Sequence, residues 1–465
     1  MNGSSVIRSI MAVTLAGGLF APAGETLASG FQLQEQNASG LGNAYSGQAA
    51  AAEDASTVFW NPAGMTRIPG RQVVGGLSLV APSSDFNNTG STVATFQTSL
   101  GGNGGDGGEL GAVPVGYLTW QLNPQIWLGL GLNVPFGLAT EWDSSWVGRF
   151  HAIRSELLTV NVNPSIAWKV NEAVSLGVGV NWQYIDAELT NSTNYSAAAF
   201  GAGGAAALGA LGLPGACPGA TPGAGTGCEG VATLKADDNA WGWNVGAMFT
   251  LSPATRIGVA YRSEIKYNLS GTVSFANRPA LLNAGLPDGN IKAQVTLPDT
   301  FSIGLSHQID QRWQILADYT WTGWSSIQDL SIYRENGAPL TSTPLKFEDS
   351  YRVGVGANYQ LSEPWKLRFG VAYDTTPVQD AFRTPRLPDQ DRTWFATGAQ
   401  WAFSKQGALD FGLAYLYIKK ASSNLPNVEP AANLPAGFTA APKGNLVGDY
   451  KADVWILSAQ ARYSF

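Results

Sequence analysis

The chain has 465 residues and a formal charge of −7, but only 13% of its residues are charged, against about 25% in soluble domains; 56 are glycine and the mean hydropathy is near zero. No basic block is present to neutralise phosphates, which excludes a nucleic-acid partner. Beyond the amino terminus there is no strongly apolar uncharged run of about 18 residues, which excludes a bundle of membrane-spanning helices.

The chain opens like an export signal over residues 1–28: Arg8 is the positive region, Ile10 to Phe20 the apolar stretch, and Thr26-Leu27-Ala28 a small-residue cleavage site. Residues 29–70 then show no strand alternation. Gly40, Gly42 and Gly47 punctuate them, and Gln48 to Ala55 is a short helix candidate. Phe31, Leu33, Leu41, Tyr45, Val58, Phe59 and Trp60 are too apolar for a solvated tail.

From residue 71 onward the chain alternates. Candidate strands lie near 71–86, 111–122, 125–138, 155–170, 173–190, 231–252, 254–275, 291–309, 311–334, 345–361, 364–378, 390–404, 407–420 and 449–465, fourteen in all. Their connections alternate too. Asn123-Pro124, Asn171-Glu172, Ser252-Pro253, Ser362-Glu363 and Lys405-Gln406 are tight turns, whereas 87–110, 139–154, 191–230, 276–290, 335–344, 379–389 and 421–448 are long. An even strand number with short turns on one side and long loops on the other is the pattern of a bacterial transmembrane β-barrel. The last strand shows its two faces plainly: Trp455, Leu457, Ala459, Ala461, Tyr463 and Phe465 share one parity, Ser458, Gln460, Arg462 and Ser464 the other. On the apolar parity, Trp313 and Trp321, Trp365 and Tyr373, and Trp455 and Tyr463 are eight residues apart. At ~3.4 Å per residue and a tilt of about 40° this spans roughly 20 Å, near the ~25 Å between aromatic girdles. The expected fold is therefore all-β: a 14-stranded antiparallel barrel over residues 71–465, in the bacterial outer membrane.

Fourteen strands enclose a lumen too wide for side chains alone to fill, and residues 29–70 are the available plug. Pro114, Pro135 and Pro164 fall on neighbouring strands and each withholds a ladder hydrogen bond, so this sector of the wall should be weak. Arg352, Lys366, Arg368 and Arg392 have inward parity, with Asp318, Asp374 and Asp410 on the same surface. Arg352, Arg368 and Arg392 are candidate partners for a ligand carboxylate, unless they pair with those aspartates. The longest loop carries the uncharged run Ala197 to Ala216, mostly Ala and Gly with Pro214 inside, expected to be an irregular apolar capture surface. Cys217 and Cys228 lie nearby, and a disulfide in this exported loop would stabilise it by about 3 kcal/mol. Two thiols, with His151 and His307 far from them in sequence, make no metal site, and no Gly-x-Ser-x-Gly elbow suggests an enzyme. No cofactor is expected.

Several stretches resemble one family in order along the chain: Gly30-Phe31-Gln32-Leu33, Ser39-Gly40-Leu41-Gly42, Ala44-Tyr45-Ser46-Gly47 and Asn61-Pro62-Ala63, then Gly137-Leu138-Ala139-Thr140-Glu141, Tyr261-Arg262-Ser263-Glu264 and Pro388-Asp389-Gln390-Asp391-Arg392. They resemble the FadL family of outer-membrane long-chain fatty acid transporters, which includes the toluene-type channels. The resemblance implies a monomeric barrel in contact with outer-membrane lipid and lipopolysaccharide, with a helical hatch over 29–70. It also implies passive uptake of a fatty acid or another hydrophobic compound that leaves sideways through the wall. On it, Phe31 reaches the binding pocket, Asn61, Pro62 and Ala63 form a gate beside the strand 3 kink, and Pro135, Phe136, Gly137 and Leu138 shape the lateral portal. The family's basic residues find no match at the end of strand 5, where this chain has Asp186, Glu188 and Asn191. Channels for neutral aromatic or aliphatic hydrocarbons therefore stay open as the alternative, with a general diffusion porin behind them.

Overall fold

The computed structural model describes residues 30–426 and 443–465; the export signal over 1–28 lies outside them. Fourteen strands form the wall: β1 Arg71–Asn88, β2 Gly111–Asn123, β3 Ile126–Asn133 resuming at Gly137–Glu141, β4 Arg154–Lys169, β5 Val174–Asn194, β6 Glu229–Ser252 and β7 Thr255–Arg262 resuming at Ile265–Phe275. The rest are β8 Gly289–Leu297 with Thr300–Gln308, β9 Trp313–Thr322 with Asp329–Arg334, β10 Pro339–Pro344 with Ser350–Gln360, β11 Trp365–Asp374, β12 Arg392–Ala402, β13 Gly407–Ile418 with Ala421–Leu425, and β14 Leu446–Ser464. All pairings in the ladder are antiparallel between neighbours, and β1 closes on β14 from Gln72 opposite Ser464 to Asn88 opposite Gly448. The fold is the expected closed barrel.

Lipid outside and packed lumen inside explain the alternation. Leu77, Leu79, Trp455 and Leu457 are exposed on the outer surface, while Ser78, Val80, Ile456 and Ser458 between them are buried. Aromatic residues on the outer face meet across strands at both girdles: Trp313 with Tyr359 (4.6 Å) and Trp365 with Trp401 (6.2 Å) near the short turns, Tyr415 with Trp455 (4.9 Å) near the loops.

Three expectations about the loops are corrected. Residues 335–344 are not a long loop: Asp329–Arg334 pairs with Pro339–Pro344 through Asn336-Gly337, a dipeptide that favours tight hairpins. Within 421–448, Ala421–Leu425 pairs with Leu446 to Tyr450, so the last hairpin extends outward. Ala197 to Ala216 is largely helical, as α4 (Tyr195–Leu211), numbered after three short helices of the amino-terminal segment. Its alanines favour helix, the Asn194 side chain accepts from the Ala197 amide, and only Gly203-Gly204 interrupts it.

The amino-terminal segment lies inside the barrel and is almost wholly buried from Phe31 to Met65. It makes single-turn helices α1 (Ala38–Leu41), α2 (Gln48–Ala51) and α3 (Thr57–Trp60), then a 3-10 turn Pro62–Arg67. The helix expected over Gln48 to Ala55 stops at Ala51, because Ala52 takes a left-handed conformation (φ 44). That bend carries Glu53 and Asp54 to the wall, where Glu53 meets Arg368 and Asp54 meets Gln460. The wall makes room by pairing glycines across strands at inward positions: Gly177 with Gly246, Gly258 with Gly304, Gly356 with Gly370, and Gly398 with Gly412.

Candidate functional site

The lumen divides along its length. On the loop side a cavity of about 310 Å³ lies between α4, the 3-10 turn at Ala280–Leu282 and the outer ends of β5, β6, β7, β9 and β10. Its walls are mainly apolar, with Leu189, Ala232, Leu234, Phe275 and Leu340 among them, and its cations are Arg386 and Lys443. Arg386 donates to the Arg154 carbonyl (3.2 Å), Ser155 Oγ (3.0 Å) and Asn191 Oδ1 (3.3 Å). All three are neutral, and among the described residues no carboxylate pairs with this guanidinium; burial pushes its pKa down to about 10. His151 lines the same cavity, its Nε2 3.1 Å from the Gly444 carbonyl, and burial, then Lys443, hold it down to about 3.

Ala232, Leu234, Val273 and Ile332 belong to this cavity and to a buried apolar cluster that continues inward through Ile265, Leu269 and Leu297 to Trp324, Phe136 and Phe31. The inner end is aromatic: Phe31 lies 4.8 Å from Trp324 and 6.1 Å from Phe136, edge to face in both cases. An apolar column thus runs from the cavity to the amino-terminal segment.

At that inner end the wall is open. The β2–β3 ladder stops at Gly116 opposite Leu132, and the outer piece of β3, from Gly137, pairs only with β4. Contact with the chain leading into β2 resumes at Gly108 opposite Thr140. Val134, Pro135 and Phe136 occupy the break and turn toward the lumen, where the amino-terminal segment holds both sides of them: Leu33 N donates to the Pro135 carbonyl (2.8 Å), Gly137 N to the Phe31 carbonyl (2.9 Å) and Gln36 Nε2 to the Val134 carbonyl (2.8 Å), while Phe136 N donates to Thr159 Oγ1 of β4 (2.9 Å) and its carbonyl accepts from Thr159 N (3.2 Å). On the far side Pro164 interrupts the β4–β5 ladder, which skips from Val162 to Ser165. Pro114, in contrast, sits within an unbroken β1–β2 pairing opposite Leu77.

Asn61-Pro62-Ala63 makes its hydrogen bonds within the amino-terminal segment and to β6. Asn61 Nδ2 donates to the carbonyls of Ala49 (2.7 Å) and Ala247 (3.1 Å), and its Oδ1 accepts from Ala63 N. The turn seats against the glycine pair Gly177 and Gly246, where any side chain would overlap Pro62 and Asn61. Residues 31–36, with Thr159 of β4, supply the hydrogen bonds that hold the broken segment.

The inward arginines are satisfied within the protein. Arg352 pairs with Asp318 (3.0 Å), Arg368 with Asp410 (2.6 Å) and Glu53 (2.7 Å), and Arg392 with Asp389 (2.5 Å). Cys217 and Cys228 are joined by a disulfide that tethers the chain after α4 to the start of β6. Sequence reasoning missed Arg386, whose loop position has no periodicity, and the inward glycine pairs, whose shared parity could have shown them.

A model of the family described as outer membrane protein transport protein (OMPP1/FadL/TodX) matches residues 19–465. The chain belongs to this family. Among relatives of the FadL type, a long-chain fatty acid transport protein of Escherichia coli O6:H1 is 31% identical over 402 residues, covering 84% of this chain and 87% of that one. Outer membrane protein P1 of Haemophilus influenzae is 31% identical over 451 residues, covering 93% and 97%. A solved FadL homologue of Pseudomonas aeruginosa superposes with a TM-score of 0.82 at 26% identity, over 94% of this chain and 100% of that one. The Pseudomonas putida toluene transporter TodX shares the fold, with a TM-score of 0.65 at 17% identity over 94% and 100%. As in its FadL family, this chain is an outer-membrane protein that crosses the bilayer with strands, and the family's members are transporters and channels.

Proposed function

We propose that the protein carries long-chain fatty acids passively across the outer membrane. The acid enters the outer cavity with its carboxylate at Arg386 and its chain down the apolar column, and leaves sideways through the gap between β2 and β3 once residues 31–36 release Pro135, Phe136 and Gly137. One observation supports this above the rest: a half-buried guanidinium that no carboxylate pairs with among the described residues heads a cavity whose walls accept an alkyl chain. Burying a charge is costly unless it is compensated, and a ligand carboxylate supplies the compensation. Residues 29–70 act as the hatch, and Asn61, Pro62 and Ala63 are its hinge seat on the wall. A barrel closed by one chain leaves no open sheet edge, which supports a monomer in contact only with lipid and lipopolysaccharide.

The relatives named as fatty acid transporters favour the same reading. Neutral hydrocarbons are the second reading, favoured by the uncharged wall of the column. Uptake of labelled palmitate and of toluene by cells lacking their own transporter of this type separates them. The expected result is palmitate uptake that falls about tenfold in Arg386→Gln, the loss of one charge-assisted hydrogen-bonded contact of about 1.4 kcal/mol. Toluene uptake alone, unchanged in the variant, would overturn the fatty acid reading.

A further inference from the structure

Another lumen cation has no carboxylate partner among the described residues, and it lies beyond the inner end of the column. Arg262, the last residue of the inner piece of β7, donates to the Phe59 carbonyl (2.9 Å) and to Asn181 Oδ1, and its guanidinium stacks 4.3 Å over the Phe59 ring. Among the described residues it has no ion-pair partner. Beside it is a cavity of about 40 Å³, lined by Gln32, Asn244, Thr300, Ser302 and Thr320 as well as Arg262. By the same measure a water needs at least 10–15 Å³, so the space suits two or three waters or one carboxylate group. Leu33, Phe59, Trp60, Pro62 and Ala260 also line it, so the hydroxyl and amide groups form one polar side, and among the described residues no acid lines it.

Gln32 is the partition between this pocket and the column. Its backbone bridges Phe136, its amide donates to Thr300 Oγ1 (3.2 Å), and its Oε1 accepts from Thr322 Oγ1 (3.2 Å). Phe31, one residue earlier, closes the column against Trp324. Movement of the strand-like segment 31–33 away from Pro135 would therefore open the column to the Arg262 pocket at the same moment as it frees the wall.

We propose that Arg262, with Thr300, Ser302 and Asn244, is an inner carboxylate site that receives the acid's head group after the outer cavity has released it. This rests on the fatty acid reading above. Such a site makes release of residues 31–33 favourable only for a ligand with an anionic head, since a neutral alkane gains nothing from it.

The test is calorimetric titration of the full-length protein in detergent with palmitate and with hexadecanol, which shares the chain without the charge. In an Arg386→Gln background, Arg262→Gln is expected to weaken the remaining palmitate binding about tenfold and leave hexadecanol unchanged. Ser302→Asp, which keeps Arg262 and sets a competing carboxylate beside it, should give the same selective loss and covers the case in which Arg262→Gln does not fold. Equal loss of both ligands in both variants would make Arg262 a purely structural group and overturn the proposal. Palmitate binding reduced by Arg386→Gln but indifferent to both inner substitutions would overturn the inner site and leave the outer capture standing. Wild-type protein that binds palmitate no better than hexadecanol would overturn both.

Discussion

The charge cluster that seats the plug and the cation that heads the outer cavity are built in opposite ways. On the β9 to β13 side of the amino-terminal segment's seat the cations are answered by protein carboxylates: Lys366 and Arg368 by Glu53, Arg368 again by Asp410, and Arg352 by Asp318. Toward the loops, Arg386 is left with neutral partners in an apolar cavity. Paired charges hold one part of the chain to another, whereas an unanswered charge has free energy to offer a ligand. The difference assigns retention of the plug to the paired cluster around Glu53 and Asp318, and recognition to the cations that face only neutral groups.

The most severe way to break this contrast is Glu53→Gln. Glu53 Oε2 contacts Arg368 (2.7 Å) and Lys366 (3.4 Å), Asn358 Nδ2 donates to Oε1 (2.7 Å), and Arg462 donates to its carbonyl (2.9 Å). Removing one partner of a buried pair costs about 3 kcal/mol, because the cations stay behind uncompensated. The variant should unfold at lower temperature and show ion-conducting events in planar bilayers that the parent lacks. Conductance as low as the parent's would mean that the glycine seats alone retain the segment.

How much of this was legible beforehand follows the physics of each region. The strands were, because lipid imposes an alternation that survives even where β3 and β7 break. Arg352 and Arg368 were seen as inward by parity, but whether a ligand or an aspartate answers them depends on β9 and β13, far away in sequence. The fate of Glu53 was hidden by an alanine run that favoured helix until Ala52 turned left-handed. Arg386 and Arg262 matter because among the described residues no carboxylate pairs with them, and that has no local signature. The Asn336-Gly337 hairpin, by contrast, is written in the sequence as a turn dipeptide, a stronger signal than the length of the segment around it.

A milder perturbation sharpens the outer half's exit. Pro135→Val with Gly137→Val restores a residue able to donate at position 135 and stiffens the break, so that Val134 to Gly137 can pair with β2 instead of with Phe31 and Leu33. Palmitate uptake is expected to fall about tenfold, a barrier increase of about 1.4 kcal/mol, while palmitate binding and barrel content in the outer membrane stay as in the parent. Unchanged uptake would send the ligand out by another route.

The smallest effect expected concerns the lid of the outer cavity. His151 is held down to about 3 in the closed loop, mainly by burial, against an ordinary value of 6.5. Above pH 6.5 the ring is neutral whether the loop is closed or open, so closure has no proton dependence there. As the pH falls below 6.5 the open form takes up a proton that the closed form refuses, so closure loses stability progressively down to about pH 3. Between pH 7.5 and 5.5 the open population should rise about tenfold, seen as faster hydrogen exchange of the amides in the β3–β4 loop, 142–153. His151→Phe should remove the pH dependence without touching Arg386. If exchange in that loop is flat across the range in the parent, His151 is solvated in the working protein, and the outer cavity is open before any ligand arrives.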